Sequence, residues 1–330
     1  MEAPMQQRRL GKTGWQVSAV GFGAWQIGAG WGEVSDTAAM EALHAAADAG
    51  VNLFDTADVY GDGRSERLIG CFLRERDEVL HVATKMGRRG PQEHGEYMGE
   101  NFRTWVDRSR EYLGVDSLGL VQLHCPPSTV FDDPAVFEAL EGLVEQGAID
   151  NYGVSIETVD QGLRALQWPG LATIQVIFNI FRQKPADRLL PEAAAADVGI
   201  IARVPLASGL LTGKLTADTS FADDDHRNFN RDGGAFDVGE TFSGVDLDRG
   251  LAAVERLRPL VGDDEPMARF ALRWILAHEH VSTVIPGARN PQQARDNAVA
   301  GTVPPLDDDA LRAVRDIYAE DIAPLVHDRW

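Results

Sequence analysis

Asp55, Tyr60, Lys85 and His124 are the side chains whose types and spacing suit acid–base chemistry. Asp55 and Lys85 sit at the ends of the short apolar runs NLFDTA and LHVATK, His124 ends SLGLVQLH, and Tyr60 follows Asp55 by five residues. Taken singly, each has a plain structural role open to it: a loop cap, a loop aromatic, a surface charge, a satisfied core histidine. At successive strand ends they would converge on one cleft and make a proton donor. A free phenol has a pKa of ~10 and gives up its proton reluctantly. An ammonium ~4 Å away at an effective dielectric of ~20 favours the phenolate by about 4 kcal/mol, an upper range of roughly three pK units. An adjacent Asp keeps the lysine charged, and a His orients or polarises the substrate oxygen. The Tyr hydroxyl can then protonate an oxygen on which negative charge develops, as a carbonyl receiving a hydride requires.

The elements that must position these groups alternate between short apolar strands and amphipathic helices. Counting from the strand at Ala19–Gly21, eight strands are each followed by a helix, which predicts a closed (β/α)8 TIM barrel, with residues 1–330 as one domain. RRLGKTGWQV predicts an N-terminal hairpin around Gly11 and Gly14. Residues 216–247 break the rhythm as a polar loop insertion, and residues 302–330 add a C-terminal helix and tail. Ser35 or Asp36, Ser65, Pro134, Thr158, Pro191 and Asn290-Pro291 mark helix starts. The rival architecture is a doubly wound sheet with a dinucleotide fingerprint. GFGAWQIG and GAGWG match it loosely, and neither opens a clear helix.

Composition narrows the classes. With 51 acidic and 31 basic residues the formal net charge is -20, which argues against nucleic acid and anionic membranes as partners. Of the basic residues only four are lysines, Lys12, Lys85, Lys184 and Lys214, so each merits a reason. Cys71 and Cys125 cannot build a disulfide scaffold or a zinc cluster, and a reduced cytoplasmic setting is expected. MEAPMQQRRL carries no apolar signal segment, and no apolar run approaches the ~20 residues of a membrane span.

GFGAW, FDTADVYG, TK at 84–85 and LHCPP at 123–127 together resemble the aldo-keto reductase superfamily, and the likeness covers nearly the whole chain. The resemblance implies an NAD(P)-dependent oxidoreductase acting on a small carbonyl or alcohol substrate. Asp55, Tyr60, Lys85 and His124 would be its catalytic tetrad, Tyr60 the general acid, and the chain a soluble monomer. It also implies cofactor contacts from Gly23, Ala24 and Trp25 in the first loop and from Asp55. Ser155 in NYGVS and Gln175 would hold the nicotinamide amide, although Ile156 stands where the family commonly has Asn. In IARVPLASGLLTGK, Pro205, Leu206, Ser208, Gly209 and Lys214 would carry the pyrophosphate. Arg203 stands where many members have a stacking Tyr. Its planar guanidinium is expected to cover the nicotinamide ring, the plain alternative being a buried ion pair with a barrel carboxylate. In IPGARNPQQARDN, Gly287, Arg289, Gln293 and Asn297 would hold the adenosine end. Arg289 implies NADP(H), with NAD(H) also open.

The insertion is expected to fold over the pyrophosphate, pinned by packing of Phe221, Phe229, Phe236 and Phe242. Asp223, Asp224 and Asp225 read as a solvated face, and no metal is expected. Substrate would meet Tyr60 and His124 within a wall drawn from Trp25, Trp31, Met86, Tyr97, His327 and Trp330. Two rival functions remain: a Schiff-base aldolase using Lys85, which needs a neutral lysine that Asp55 disfavours, and a non-catalytic cofactor-sensing barrel.

Overall fold

The computed structural model describes residues 3–28, 31–32 and 34–330. Eight parallel strands pair in chain order: β1 (Phe22–Gly23), β2 (Leu53–Asp55), β3 (His81–Met86), β4 (Leu120–His124), β5 (Tyr152–Ser155), β6 (Leu171–Ile177), β7 (Gly199–Arg203) and β8 (Thr283–Val284). The two edges meet through parallel bridges, Val20 to Val284 and Gly23 to Gly287. The Gly21 N–H donates to the Val284 carbonyl at 2.8 Å and the Val284 N–H to the Ala19 carbonyl at 3.0 Å. Residues 19–21, expected as the first strand, therefore serve the closure with β8, and regular pairing with β2 starts at Phe22. The close approach explains the glycine at 23, where a Cβ would lie 2.7 Å from the Ile285 carbonyl oxygen.

The helices are amphipathic and pack outside the strands: α1 (Asp36–Asp48), α2 (Arg64–Leu73), α3 (Gly99–Leu113), α4 (Pro134–Glu145), α5 (Val159–Ala165), α6 (Leu189–Ala195), α7 (Leu247–Leu257), α8 (Met267–Leu276), α9 (Pro291–Ala298) and α10 (Asp308–Ile317). Their starts follow the sequence signals for the most part. Ser35 Oγ accepts from the Ala38 N–H, Thr158 and Gln161 form a capping box, and Asn290 caps α9 with Pro291 in its first turn. Ser65 is a correction: it lies inside α2, whose N-cap is Gly63 with φ 83. The Ser65 hydroxyl is buried, donating to the Ala24 carbonyl at 3.1 Å and accepting from Thr56 at 2.8 Å, so it ties the first loop to the second. A second correction is a helical turn at Trp25–Gly28, in a stretch whose glycines show no helix. Tyr60 packs against it, and a Cβ on Gly28 would come within 2.7 Å of the Tyr60 Cβ.

The N-terminal hairpin, Gln7–Arg9 with Gln16–Ser18, packs Leu10 and Val17 onto Leu53, Ala83, Leu120 and Ile201. Leu53 and Leu120 open their strands, and Ala83 and Ile201 precede the strand ends, so the hairpin covers the N-terminal end of the barrel and the functional groups keep the other end. The insertion after β7 has no strand among its described residues. It is made of the short turns His226–Phe229, Val238–Glu240 and Phe242–Gly244.

Candidate active site

The parallel register brings the strand-end residues to one level. Asp55 pairs with Gly23 and Ala83, Lys85 with Gln122, His124 with Ser155, and Ser155 with Gln175. All lie at the C-terminal ends, where barrels place their chemistry. The Lys85 ammonium donates to Asp55 Oδ1 at 2.5 Å and to the Thr56 carbonyl at 2.7 Å, and Gln175 Nε2 donates to Asp55 Oδ2 at 2.7 Å. All three side chains are buried. Burial works against the charge on Lys85, yet Asp55 and Tyr60 beside it carry its pKa above the ordinary lysine value. Lys85 is therefore an ammonium. That removes the neutral lysine which the Schiff-base reading requires.

Tyr60 sits over this pair, with Lys85 Nζ 5.1 Å from its ring centre. His124 meets the ring edge-on at 5.9 Å and Trp25 stacks at 6.0 Å. The direction expected for its pKa is reversed. Burial raises it by more than Lys85 lowers it, and Asp55 and Glu240 add to the rise, so Tyr60 keeps its proton. Burial, then Arg88, Lys85 and Arg203, hold His124 well below the ordinary histidine pKa, hence neutral, and its Nδ1 has no protein partner. The site is thus a neutral phenol and a neutral imidazole beside a buried ion pair: a proton donor and an orienting group.

Other expected residues are placed unevenly. Gln175 has committed its amide nitrogen to Asp55. Ser155 is buried and accepts from the Cys125 thiol at 3.6 Å. Ala24 is buried beneath the first loop, its N–H on the Asp55 carbonyl at 2.8 Å. Arg203 forms a buried ion pair, Nη1 lying 3.3 Å from Glu240 Oε1. Its Nη2 donates to the Ile156 carbonyl at 3.2 Å. The carboxylate comes from the insertion and not from the barrel. Pro205 is buried, Leu206 and Gly209 half-buried, and Lys214 exposed. Ser208 is sealed under the insertion, its hydroxyl donating to the Glu240 carbonyl at 3.0 Å and accepting from the Phe242 N–H at 3.1 Å. At the far end, Gln293 Oε1 accepts from the Arg289 N–H at 2.9 Å and Asn297 Nδ2 donates to the Gly287 carbonyl at 3.1 Å. A Cβ on Gly32 would lie 3.5 Å from Arg289 Nη2, so that guanidinium reaches toward the first loop.

The wall residues divide. Trp25 and Trp31 meet at 5.6 Å beside Tyr60. Met86 is core-buried, because its strand position turns it among apolar neighbours. Tyr97 is buried with its hydroxyl on Gln92 Oε1 at 3.0 Å. His327 bonds Tyr318 at 3.0 Å, and Trp330 donates to Asp237 Oδ1 at 2.9 Å. The tail therefore grips the insertion. Of the insertion phenylalanines, Phe242 is buried and pairs with Phe221, and Phe236 packs on Trp25; Phe229, 47% exposed, meets only the edge of Phe236 at 6.2 Å. Asp225 departs from the solvated face: it is buried, caps His226–Phe229 and pairs with Arg227 at 2.6 Å.

Sequence reasoning missed Arg88, Glu157, His226 and Glu240. Arg88 Nη1 binds Glu240 Oε1 at 2.9 Å and Nη2 reaches Glu157 at 3.5 Å. His226 is buried between Trp25 at 4.8 Å and Trp31 at 4.4 Å. Arg88 was within reach of inference, three residues past Lys85 on the loop that follows β3; Glu240 lies in an aperiodic insertion and left no signal. Cys125, Glu157 and Glu240 place three donor atoms within 4.8 Å of one another, but Arg88 and Arg203 already supply their countercharge.

The loops after β7 and β8 fit a phosphate-bearing cofactor. Ala207, Ser208 and Gly209 take left-handed conformations, φ 45, 54 and 101, and α9 starts beside Arg289. Fold and site define an oxidoreductase of the carbonyl and CH–OH class. The chain belongs to the aldo/keto reductase family, whose model matches residues 19–319. The solved glycerol dehydrogenase AKR11B4 from Gluconobacter oxydans is similar over 96% of both chains, with 31% identity and a TM-score of 0.79. A probable voltage-gated potassium channel subunit beta of Oryza sativa subsp. japonica is 31% identical over 92% of this chain and 93% of its own. The NADH-specific methylglyoxal reductase of Escherichia coli (strain K12) is 29% identical over 93% and 96%. No helix among the described residues is long and apolar enough to cross a membrane.

Proposed function

We propose that this protein reduces a small aldehyde or ketone to an alcohol with NADPH, Tyr60 acting as the general acid. The observation that carries the reading is the buried Lys85–Asp55 pair, 2.5 Å long, under a protonated Tyr60 and a neutral His124. A bound reduced nicotinamide supplies the hydride. Tyr60 gives its hydroxyl proton to the carbonyl oxygen as charge builds there, and Lys85 stabilises the phenolate left behind. Asp55 holds Lys85 in place and charged, and His124 orients the oxygen. Ser155, Gln175 and Arg203 would meet the nicotinamide end. The backbone of Ser208 and Gly209, with Lys214, would meet the phosphates, and Gly287, Arg289, Gln293 and Asn297 the adenosine end, with Arg289 reading a 2′-phosphate. Trp25 and Trp31 would border the substrate.

The potassium-channel relative gives the non-catalytic reading a foothold, but a complete acid–base set argues for turnover. Fluorescence titration with NADPH and NADH in parallel tests the cofactor. NADPH binding at least ~10-fold tighter supports Arg289 as the 2′-phosphate reader, and equal binding removes that role. Tyr60→Phe should lose at least ~100-fold in turnover while cofactor affinity stays within about twofold. Unchanged turnover would refute Tyr60 as the acid.

A further inference from the structure

We infer that Ser65 is a positioning residue for the reaction: through Thr56 it aims the Lys85 ammonium at the Tyr60 oxygen. The inference rests on the reading of Tyr60 as general acid given above and adds what holds its lysine in aim. An ammonium has three N–H donors and can spin about its Cε–Nζ bond. Two of the three are spent, one on Asp55 Oδ1 at 2.5 Å and one on the Thr56 carbonyl at 2.7 Å. Those two bonds stop the spin, and tetrahedral geometry then fixes where the third N–H points. Tyr60 is the group beside it: Nζ lies 5.1 Å from its ring centre, and Tyr60 is among the neighbours that keep Lys85 charged. Asp55 alone would not set the rotation, because a single bond leaves the other two donors free to turn. The Thr56 carbonyl is the second fixed point, and it must itself be held.

Thr56 is held by its backbone and by its side chain. Its N–H donates to the Ala83 carbonyl at 2.8 Å, just past the end of β2. Its hydroxyl donates to Ser65 Oγ at 2.8 Å. Ser65, in the first turn of α2, donates its own hydroxyl to the Ala24 carbonyl at 3.1 Å, and the Ala24 N–H donates to the Asp55 carbonyl at 2.8 Å. These bonds close a ring that runs from Asp55 through Thr56, Ser65 and Ala24 back to Asp55. The Ser65 N–H also donates to the Tyr60 carbonyl at 3.2 Å, and Trp25, next after Ala24, stacks on the Tyr60 ring at 6.0 Å. One serine therefore ties the backbone of the acid, the loop that carries its stacking partner and the carbonyl that steers its lysine. Ala24, Thr56 and Ser65 are fully buried, so water does not replace a bond removed among them.

The test is the pH dependence of turnover, read with the best substrate from a panel of small aliphatic and aromatic aldehydes and with the corresponding alcohol. In alcohol oxidation Tyr60 must first lose its proton, so the rate with NADP+ rises with pH along a limb that Tyr60 sets. Lys85 is first among the groups that pull this limb down. Asp55, Glu240 and Arg203 also face Tyr60, and His124 meets its ring, and the variants leave all four in place. Ser65→Ala and Thr56→Val sit at opposite ends of one hydrogen bond. Each should move the limb up by about half to one pH unit and lower aldehyde turnover about three- to tenfold, as the loss of one hydrogen bond does. NADPH affinity should stay within about twofold. Thr56→Ser keeps the hydroxyl and should hold the limb at the wild-type pH. In the double variant the shift should be no larger than in the singles. A limb unmoved in either folded single variant, whatever stability it loses, or shifts that add in the double variant, overturns the inference and leaves the reductase reading intact. A folded wild type that reduces no member of the panel, or a Tyr60→Phe variant with full turnover, overturns the reading of Tyr60 and the inference with it.

Discussion

The barrel floor and the insertion above it hold the same site by different means. On the floor, Asp55, Lys85, His124, Ser155 and Gln175 are strand residues, fixed by register, and the hydrogen bonds among them are buried. The insertion has no strand among its described residues. It is held by point contacts: Asn230 Nδ2 on Thr241 Oγ1 at 3.1 Å, Ser208 beneath Glu240 and Phe242, and Trp330 on Asp237. A floor residue cannot shift without disturbing its neighbours across the sheet. An insertion residue depends on a few side chains. The chemistry sits on the floor, and the groups that set charge and access around it come from above. Rigid positioning and local opening are thereby assigned to separate parts of the chain.

The largest expected effect tests the floor. Lys85→Met leaves Asp55 buried without its cation and should cost about 3 kcal/mol of global stability at pH 8. Asp55, whose pKa burial already raises against Lys85 and Gln175, can take up a proton instead. The deficit should therefore shrink at pH 5. Denaturant midpoints at the two pH values check this, and a deficit independent of pH would mean that Asp55 is not the group left exposed to burial.

A smaller effect tests the insertion. Trp330 is nearly buried, its ring 3.7 Å from the Arg182 guanidinium and its N–H on Asp237, whose Oδ1 also accepts from the Gly239 N–H at 2.7 Å. Glu240 is the next residue. Trp330→Ala removes a hydrogen bond to a charged group, worth about 1.5–3 kcal/mol, from a locally held segment. Protease cleavage within 216–247 should rise at least ~10-fold while the global unfolding midpoint moves little. Equal loss in both would show that lid and floor are one cooperative unit, which breaks the comparison.

The smallest effect lies behind the floor. Glu66 is buried with Oε1 accepting from the Thr84 hydroxyl at 2.6 Å, and Asp58 is buried on Arg108 at 2.9 Å. Burial raises their pKa values to about 7 and about 6. A raised carboxylate contributes its full stability below its unfolded pKa, and that contribution is lost as pH rises through the folded value. The protein should therefore lose stability between about pH 4.5 and 7 from Glu66. Glu66→Gln should gain about 1–2 kcal/mol over wild type at pH 8 and nothing at pH 5. Thermal melts at both values read it, and a gain that does not depend on pH would assign the effect to packing.

Much of the floor was legible because strand ends are written locally. NLFDTA, LHVATK and SLGLVQLH each show an apolar run stopping at a polar residue, and parallel pairing in chain order turns those stops into a ring. The strand boundary at Ala19–Gly21 misled because glycines 21 and 23 serve barrel closure, a contact with residues some 260 positions away. Ser65 misled because a cap is judged from local pattern, whereas its hydroxyl is spent on Ala24 and Thr56 across the fold.

By itself the sequence determined the alternation of strands and helices, and with it which residues end up at the barrel mouth. Periodicity and helix stops act over a few residues, and the barrel follows from repeating them eight times. Only the tertiary structure decided the electrical state of the site. Tyr60 keeps its proton because burial outweighs the lysine beside it. Arg203 is paired because an aperiodic insertion delivers Glu240 to it, 37 residues on. Charges buried together interact by distance and not by sequence separation, so no local pattern records them.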